Sequence, residues 1–179
     1  IPSDKRYIKN GDIVSLDAGL IYKGYHSDAA RTHGIGEISD EAQKLIDVTR
    51  QSFFEGIKNA KPGKHLVDIA RGIQTYAENN HFSVVRDLVG HGIGTSLHEE
   101  PEIPNFVRLR RGAKLQKGMT LAVEPMINAG TYDVWWMDDD WTVVTRDGRL
   151  SAHYENTIAI TEDGCEILTM LPEEFAEVK

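Results

Sequence analysis

The sequence predicts an α+β domain, on three observations. Two amphipathic helical stretches lie in the first half, strand-like segments flank them on both sides, and no repeated βαβ spacing appears. A chain of 179 residues is long enough for one compact domain, taken here as 1–179, with a sizeable core. Two helices between clusters of strands predict helices laid over one face of a sheet.

Segment 12–21 alternates little and is rich in Ile, Val and Leu, which predicts a buried strand. Tyr22, Lys23 and Gly24 supply a turn, and a second extended segment follows to about Ile35. Ser39 is a fitting N-cap, because its hydroxyl can accept from a free first-turn N–H, and Asp40 and Glu41 suit the positive end of the helix dipole. Ala42, Leu45, Ile46, Phe53 and Ile57 mostly keep helical spacing until Lys61-Pro62-Gly63 stops the helix. A second helix is predicted over 66–78, burying Leu66, Ile69, Ala70, Ile73 and Ala77. Strands follow at 83–89, 119–127, 141–145 and 151–161. A Pro-containing loop is expected at 101–104, with turns at Asp147-Gly148 and Asp163-Gly164.

The formal charge is −8, so general nucleic-acid binding is not expected, since phosphate neutralisation needs clustered cations. The dense basic run Arg108-Leu109-Arg110-Arg111 reads as a solvated loop. Cys165 is the only cysteine, which excludes an internal disulfide and predicts a reducing, cytoplasmic setting. No apolar run approaches the roughly 20 residues of a membrane helix, and no signal peptide is evident. The first residue is Ile1 and not Met, so a processed, truncated or excised chain is expected.

Five residues carry the chemistry: Asp17, Asp28, His91, Glu124 and Glu155. Asp17 sits within an apolar strand, where an unpaired carboxylate would be costly to bury. If the hairpin turns at Tyr22-Lys23, Asp17 and Asp28 face each other; if it turns at Lys23-Gly24, they are diagonal neighbours. Either way their Cβ atoms lie roughly 4.5–8 Å apart, and such carboxylates repel unless a proton or cation lies between them. Taken alone, the two could also face solvent or be held separately in a turn. Glu124 repeats the pattern in an apolar stretch, with Pro125 after it to make the strand irregular, and Glu155 repeats it again. His91 is flanked by glycines, which lets backbone approach closely. One imidazole with several carboxylates suits Mn²⁺, Fe²⁺, Co²⁺ or Zn²⁺, and two cations roughly 3.5–4 Å apart would form a hydrolytic pair.

Six segments, in this order, resemble type I methionine aminopeptidases of the pita-bread fold. They are Leu16-Asp17-Ala18-Gly19, Gly24-Tyr25-His26-Ser27-Asp28-Ala29-Ala30-Arg31-Thr32 and Gly90-His91-Gly92-Ile93-Gly94. The other three are Leu97-His98-Glu99-Glu100-Pro101, Val123-Glu124-Pro125-Met126 and Ser151-Ala152-His153-Tyr154-Glu155. The resemblance implies a curved antiparallel sheet with helices on its outer face and removal of an initiator methionine from peptides or nascent chains. It implies two divalent ions, one chelated by Asp17, the other held by His91 and Glu124, with Asp28 and Glu155 bridging. It makes His98 and Glu124 catalytic, places Leu97, His98 and Trp141 against the substrate, and puts a monovalent cation near Ser151. It also implies a preceding segment with part of the methionine pocket and a histidine, so the chain is expected to be N-terminally incomplete relative to the family. Impaired activity and relaxed selectivity are then expected, with a partner chain or self-association at the uncovered surface. The ribosome is a further partner consistent with the resemblance.

Two other functions stand beside this one. Prolidases share the five-ligand pattern, so a proline-directed peptidase is an alternative, although Leu97-His98-Glu99-Glu100-Pro101 favours the methionine enzyme. A non-catalytic interaction module on the same fold is the other. His26, His33, His65, His81 and His153 read as surface or packing residues, Trp135-Trp136 as packing, and Asp138-Asp139-Asp140 as a solvated loop. His98-Glu99-Glu100 is not a zincin helix, because position 102 is Glu where a second His is required.

Overall fold

The structure, a computed structural model, describes residues 3–175; Ile1 lies outside them. Strands β1 (Ile13–Tyr22) and β2 (Tyr25–Gly34) form the predicted hairpin. The turn falls at Lys23-Gly24, both at positive φ (51° and 84°), so Asp17 pairs with Ala30 and Asp28 with Gly19. The second of the two registers is therefore the one formed, and Gly24 takes the left-handed position at no steric cost.

Helix α1 (Asp40–Ile57) starts at Ser39, whose hydroxyl accepts from the Ala42 N–H at 3.2 Å. Helix α2 (Leu66–Asn79) follows as expected, and Asp68 accepts from the His65 N–H at 2.8 Å to close its first turn. The two helices touch through glycines. A Cβ at Gly72 would lie 2.5 Å from the Glu55 carbonyl oxygen, and one at Gly56 would lie 2.6 Å from Ile73. Gly72→Ala is thus an expected loss. Its gain in helix propensity, about 1 kcal/mol, is outweighed by overpacking worth roughly 1–3 kcal/mol. A Tm lowered by a few degrees in thermal unfolding checks this, and an unchanged or raised Tm would contradict it.

Ten short strands complete the chain: β3 (Ser83–Val84), β4 (Gly90–Gly92), β5 (Glu99–Ile103), β6 (Thr120–Val123), β7 (Met126–Asn128), β8 (Val134–Trp136), β9 (Val143–Thr145), β10 (Ser151–His153), β11 (Glu155–Ile160) and β12 (Cys165–Ile167). A last turn of helix, α3, spans Pro172–Phe175. The main sheet is antiparallel, in the order β1-β2-β11-β6-β4-β5, with β12 on β11. A smaller sheet runs β10-β7-β3, and β8 pairs β9 alone. One core cluster joins Phe53, Ile69 and Ile73 of the helices to Leu121, Val123 and Ile158 of the main sheet. A second joins Leu45, Val48 and Ala77 to Ile127 and Ala152 of the smaller one.

Five expectations need correction, one being the expected strand 151–161, which forms β10 and β11 in two different sheets. The first strand is not buried: Leu16 is 59% exposed, because β1 is the edge strand and no further element covers its face among the described residues. The expected strand 119–127 is two strands in two sheets, broken at Glu124-Pro125, where proline cannot donate to a ladder. The expected strand 83–89 shrinks to β3, and the expected loop 101–104 is largely β5, with a cis bond at Glu100-Pro101. The basic run is exposed as read, with Arg108 paired to Glu102 at 3.1 Å. No helix among the described residues is long and apolar enough to cross a membrane.

Candidate metal centre

The five chemistry-bearing residues line up in the spatial order of the strands. Asp17 lies on β1, Asp28 on β2, Glu155 at the start of β11, Glu124 just after β6, and His91 on β4. Register brings them together. Asp28 pairs with Gly19, two residues from Asp17. Glu155 pairs with Ala30, two residues from Asp28. Val123 pairs with Asn156, which leaves Glu124 beside Glu155, and Ala122 pairs with His91. Steps of two keep side chains on one face of a sheet, so all five project into one place.

Ligand atoms of Asp28, His91 and Glu155 lie within 4.8 Å of one another. His91 Nε2 is 3.5 Å from Glu124 Oε2. Its Nδ1 lies 2.9 Å from the Gly92 carbonyl oxygen, which fixes the ring with Nε2 facing the carboxylates. Asn105 donates to the Glu124 carbonyl at 3.1 Å and steadies the break in the strand. Gly90 has to be glycine, since a Cβ would lie 2.3 Å from the Ala122 carbonyl oxygen.

The crowding shows in the acidities. Burial first, then the charges of Asp17 and Asp28, push Glu124 up to about 8. Burial and then Glu124, Asp28 and Asp17 push Glu155 up to about 9. Burial, then Asp17, raises Asp28 as well. In the metal-free chain, protons on Glu124 and Glu155 therefore relieve the repulsion at neutral pH. Glu155 is 1% exposed, and its Oε1 has no hydrogen-bond partner among the described residues. A buried orphan oxygen beside an imidazole and three more carboxyls fits a hard-to-borderline divalent ion. Cys165 is no part of this set: burial pushes its thiol up to about 11, and its sulfur lies 3.8 Å from the Ile57 carbonyl oxygen.

The other expected site residues are less uniformly placed. The His98 ring is exposed and packs edge-on against His91, with ring centres 4.3 Å apart. Leu97 Cδ1 lies 3.4 Å, and Asp28 Oδ1 3.5 Å, from the point where Gly19 would carry a Cβ, so the Leu97 side chain adjoins the carboxylates. Trp141 is in the connection between β8 and β9, 68% exposed, and Ser151 is exposed at the start of β10. Asp17 is 54% exposed, so burial is not what makes its position unusual; proximity to Asp28 is.

Sequence reasoning missed His153. Burial lowers it to about 4, which keeps it neutral, and its Nδ1 stands 4.0 Å from Asp17 Oδ2. The available signal was its place two residues before Glu155. Thr157 was missed too: its hydroxyl accepts from the Asp28 N–H at 2.9 Å and donates to the Asp28 carbonyl at 3.0 Å, pinning the Asp28 backbone.

Comparison with known proteins shows which family the chain is similar to. The chain is 60% identical over 164 residues to a methionine aminopeptidase of Clostridium perfringens, covering 92% of this chain and 66% of that one. The crystal structure of methionine aminopeptidase from Thermotoga maritima superposes with a TM-score of 0.92 at 47% identity, covering 96% of this chain and 69% of that one. Prolidase from Pyrococcus furiosus superposes at 0.75 with 25% identity, covering 94% and 44%. The chain spans about two thirds of the length of the curated relatives it matches. The pita-bread architecture expected from the motifs is the one these neighbours share. With residues 1–162 matching metallopeptidase family M24, and five Asp, Glu and His residues converging on one face of the same sheet, the chain belongs to that family.

Proposed function

We propose that this chain forms the catalytic part of a methionine aminopeptidase, which hydrolyses the bond after the N-terminal methionine of a peptide or nascent chain. The observation that carries the reading is the register that puts Asp17, Asp28, Glu155, Glu124 and His91 on one sheet face, with ligating atoms of Asp28, His91 and Glu155 within 4.8 Å of one another. Asp17 would chelate one divalent ion, His91 and Glu124 the other, and Asp28 and Glu155 both. Bound there, Mn²⁺, Fe²⁺, Co²⁺ or Zn²⁺ would polarise the scissile carbonyl and acidify water. A monovalent cation near Ser151 belongs to the same proposal, as does a cytoplasmic location.

The remaining steps fall to side chains. Glu124, whose carboxylate faces the His91 ring, would pass a proton to the leaving amine. His98, against His91 and outside the carboxylate set, is placed to donate to the oxygen on which charge develops. Leu97 offers an apolar wall, and Trp141 a second one, for the methionine side chain. His98→Ala is expected to leave divalent-metal uptake intact and to lower kcat by roughly 10²–10³-fold. Metal titration and steady-state kinetics on one preparation check this; loss of metal binding would reassign His98 as a ligand.

The likeness to a prolidase supports a second reading, a proline-directed peptidase. Matched Met-Ala-Ser and Ala-Pro peptides, followed by mass spectrometry with and without Mn²⁺, separate the two. Metal-dependent release of methionine alone is the expected result. Cleavage of Ala-Pro alone would move the function to the second reading. Failure of both, with metal bound, would favour a non-catalytic module.

A further inference from the structure

The two strands that carry Asp28 and Glu155 are joined by a short seam. β11 pairs with β6 over four residues but with β2 over only two, Glu155 with Ala30 and Asn156 with Ala29. Arg31 lies across that seam. Its Nη1 donates to the Glu155 carbonyl at 2.6 Å and to the Ala30 carbonyl at 2.9 Å. Its Nη2 donates to Asn156 Oδ1 at 2.9 Å and to Glu174 Oε2 at 3.4 Å, and its Nε to Glu174 Oε1 at 2.8 Å. A guanidinium has five N–H groups, and here all five have acceptors. The group also lies 4.3 Å over the Tyr154 ring.

The far ends of the network return to the site. Asn156 Oδ1 accepts from the Thr169 hydroxyl at 3.1 Å, Thr169 accepts from the Thr157 N–H at 3.0 Å, and Thr157 holds both backbone groups of Asp28. Glu174 is fixed in turn by the Leu171 N–H at 2.8 Å. It sits at a cavity of about 150 Å³ whose walls include Arg50 and His153.

We propose that Arg31 and Glu174 form a positioning clamp, which sets the distance between the Asp28 and Glu155 carboxylates and so tunes the affinity of the site for divalent cations. This rests on the reading of Asp28 and Glu155 as metal ligands. Arg31 grips the carbonyl of Glu155 itself and follows Asp28 by three residues on the same strand. A shift of the seam therefore passes directly into the spacing of the ligand oxygens, and ligand geometry tolerates only about half an ångström. The positive charge of Arg31 also favours the ionised form of Glu155, against burial and three carboxyls. Lysine cannot replace it, because one ammonium cannot span acceptors on two strands and a helix turn.

The test compares wild type with Arg31→Lys, Arg31→Met and Glu174→Gln. Mn²⁺ affinity is measured by calorimetry, and amide hydrogen exchange of residues 28–30 and 155–157 is followed in metal-free protein. Both Arg31 variants should bind Mn²⁺ roughly 10–100-fold more weakly, as partners of metal ligands typically do when lost. Glu174→Gln keeps the shape but not the charge, and should fall between them and wild type. Exchange across the seam should quicken at least about tenfold in the Arg31 variants. Mn²⁺ affinity within about twofold of wild type in Arg31→Lys and Glu174→Gln, whatever happens to their Tm, would overturn the clamp. If Arg31→Met does not fold, those two milder variants decide. A wild-type chain that binds no Mn²⁺ would sink the metal-ligand reading instead. The clamp would then stand or fall on the exchange rates, unchanged seam protection in both milder variants being the result against it.

Discussion

Metal-free protein should lose stability steadily as the pH rises from about 6.5 to 9, and Mn²⁺ should reverse the trend. Glu124 and Glu155 stand at about 8 and about 9 in the folded chain, against an ordinary value of 4.5. A carboxyl raised in this way binds its proton more tightly in the folded state. Its stabilising contribution is complete below about pH 4.5 and is lost as the pH climbs through the folded values. His153 acts oppositely on the acid side. Its value falls to about 4 from 6.5, so its contribution is present above 6.5 and lost as the pH drops below. The two effects partly cancel between 4.5 and 6.5, which leaves the alkaline decline as the clear signal. Its size should be on the order of a few kcal/mol, a large part of the stability of a typical domain. A divalent ion takes the place of the protons, so it binds better as the pH rises and stabilises only the folded form. Thermal unfolding between pH 6.5 and 9, in EDTA and in excess Mn²⁺, measures both slopes. A flat EDTA profile would mean that the carboxyls are not crowded in solution.

Glu155→Gln should separate function from stability with opposite signs. The substitution keeps the volume and removes a charge that the buried site accommodates only as a protonated group. Metal uptake should weaken sharply, and peptidase activity should fall by at least about 10³-fold, equivalent to roughly 4 kcal/mol in the barrier. At pH 8–9 in EDTA the same variant should melt at a higher temperature than wild type, because repulsion among Glu124, Asp28 and Glu155 is relieved. A structural role for Glu155 alone would lower both quantities together. Activity assays and melting curves at one pH decide between the two patterns, and a variant that is less stable in EDTA would remove electrostatic crowding as the explanation.

What the sequence made legible follows from the range of the forces involved. Local signals were readable. Ser39 capped its helix, the two helices ended within a turn of their expected ends, and Pro125 marked a true break. The candidate ligands were readable because a carboxylate in an apolar stretch is locally anomalous. The hairpin register stayed open between two turns, and positive φ at Lys23-Gly24 settled it. Burial of β1 was misjudged because it depends on neighbours, and an edge strand has one. The short strands β3, β7 and β10 have two or three residues each, too few for any periodicity to show. Arg31 could not be singled out, since its acceptors Asn156 and Glu174 lie 125 and 143 residues away.

The central place of β11 has a consequence for how the protein is made. Asp17 and Asp28 are synthesised more than 120 residues before the strand between β2 and β6, which comes from residues 155–160. Until that strand inserts, the hairpin has no partner on its inner side, and the Asp28 backbone lacks Thr157, 129 residues downstream. Contacts of such long sequence separation form late, because loop closure must precede the pairing that rewards it. On the ligand set proposed above, cation capture would be a late event on the growing chain. A ribosome-bound fragment ending before residue 155 should expose an unfilled sheet edge and bind Mn²⁺ no better than isolated carboxylates do.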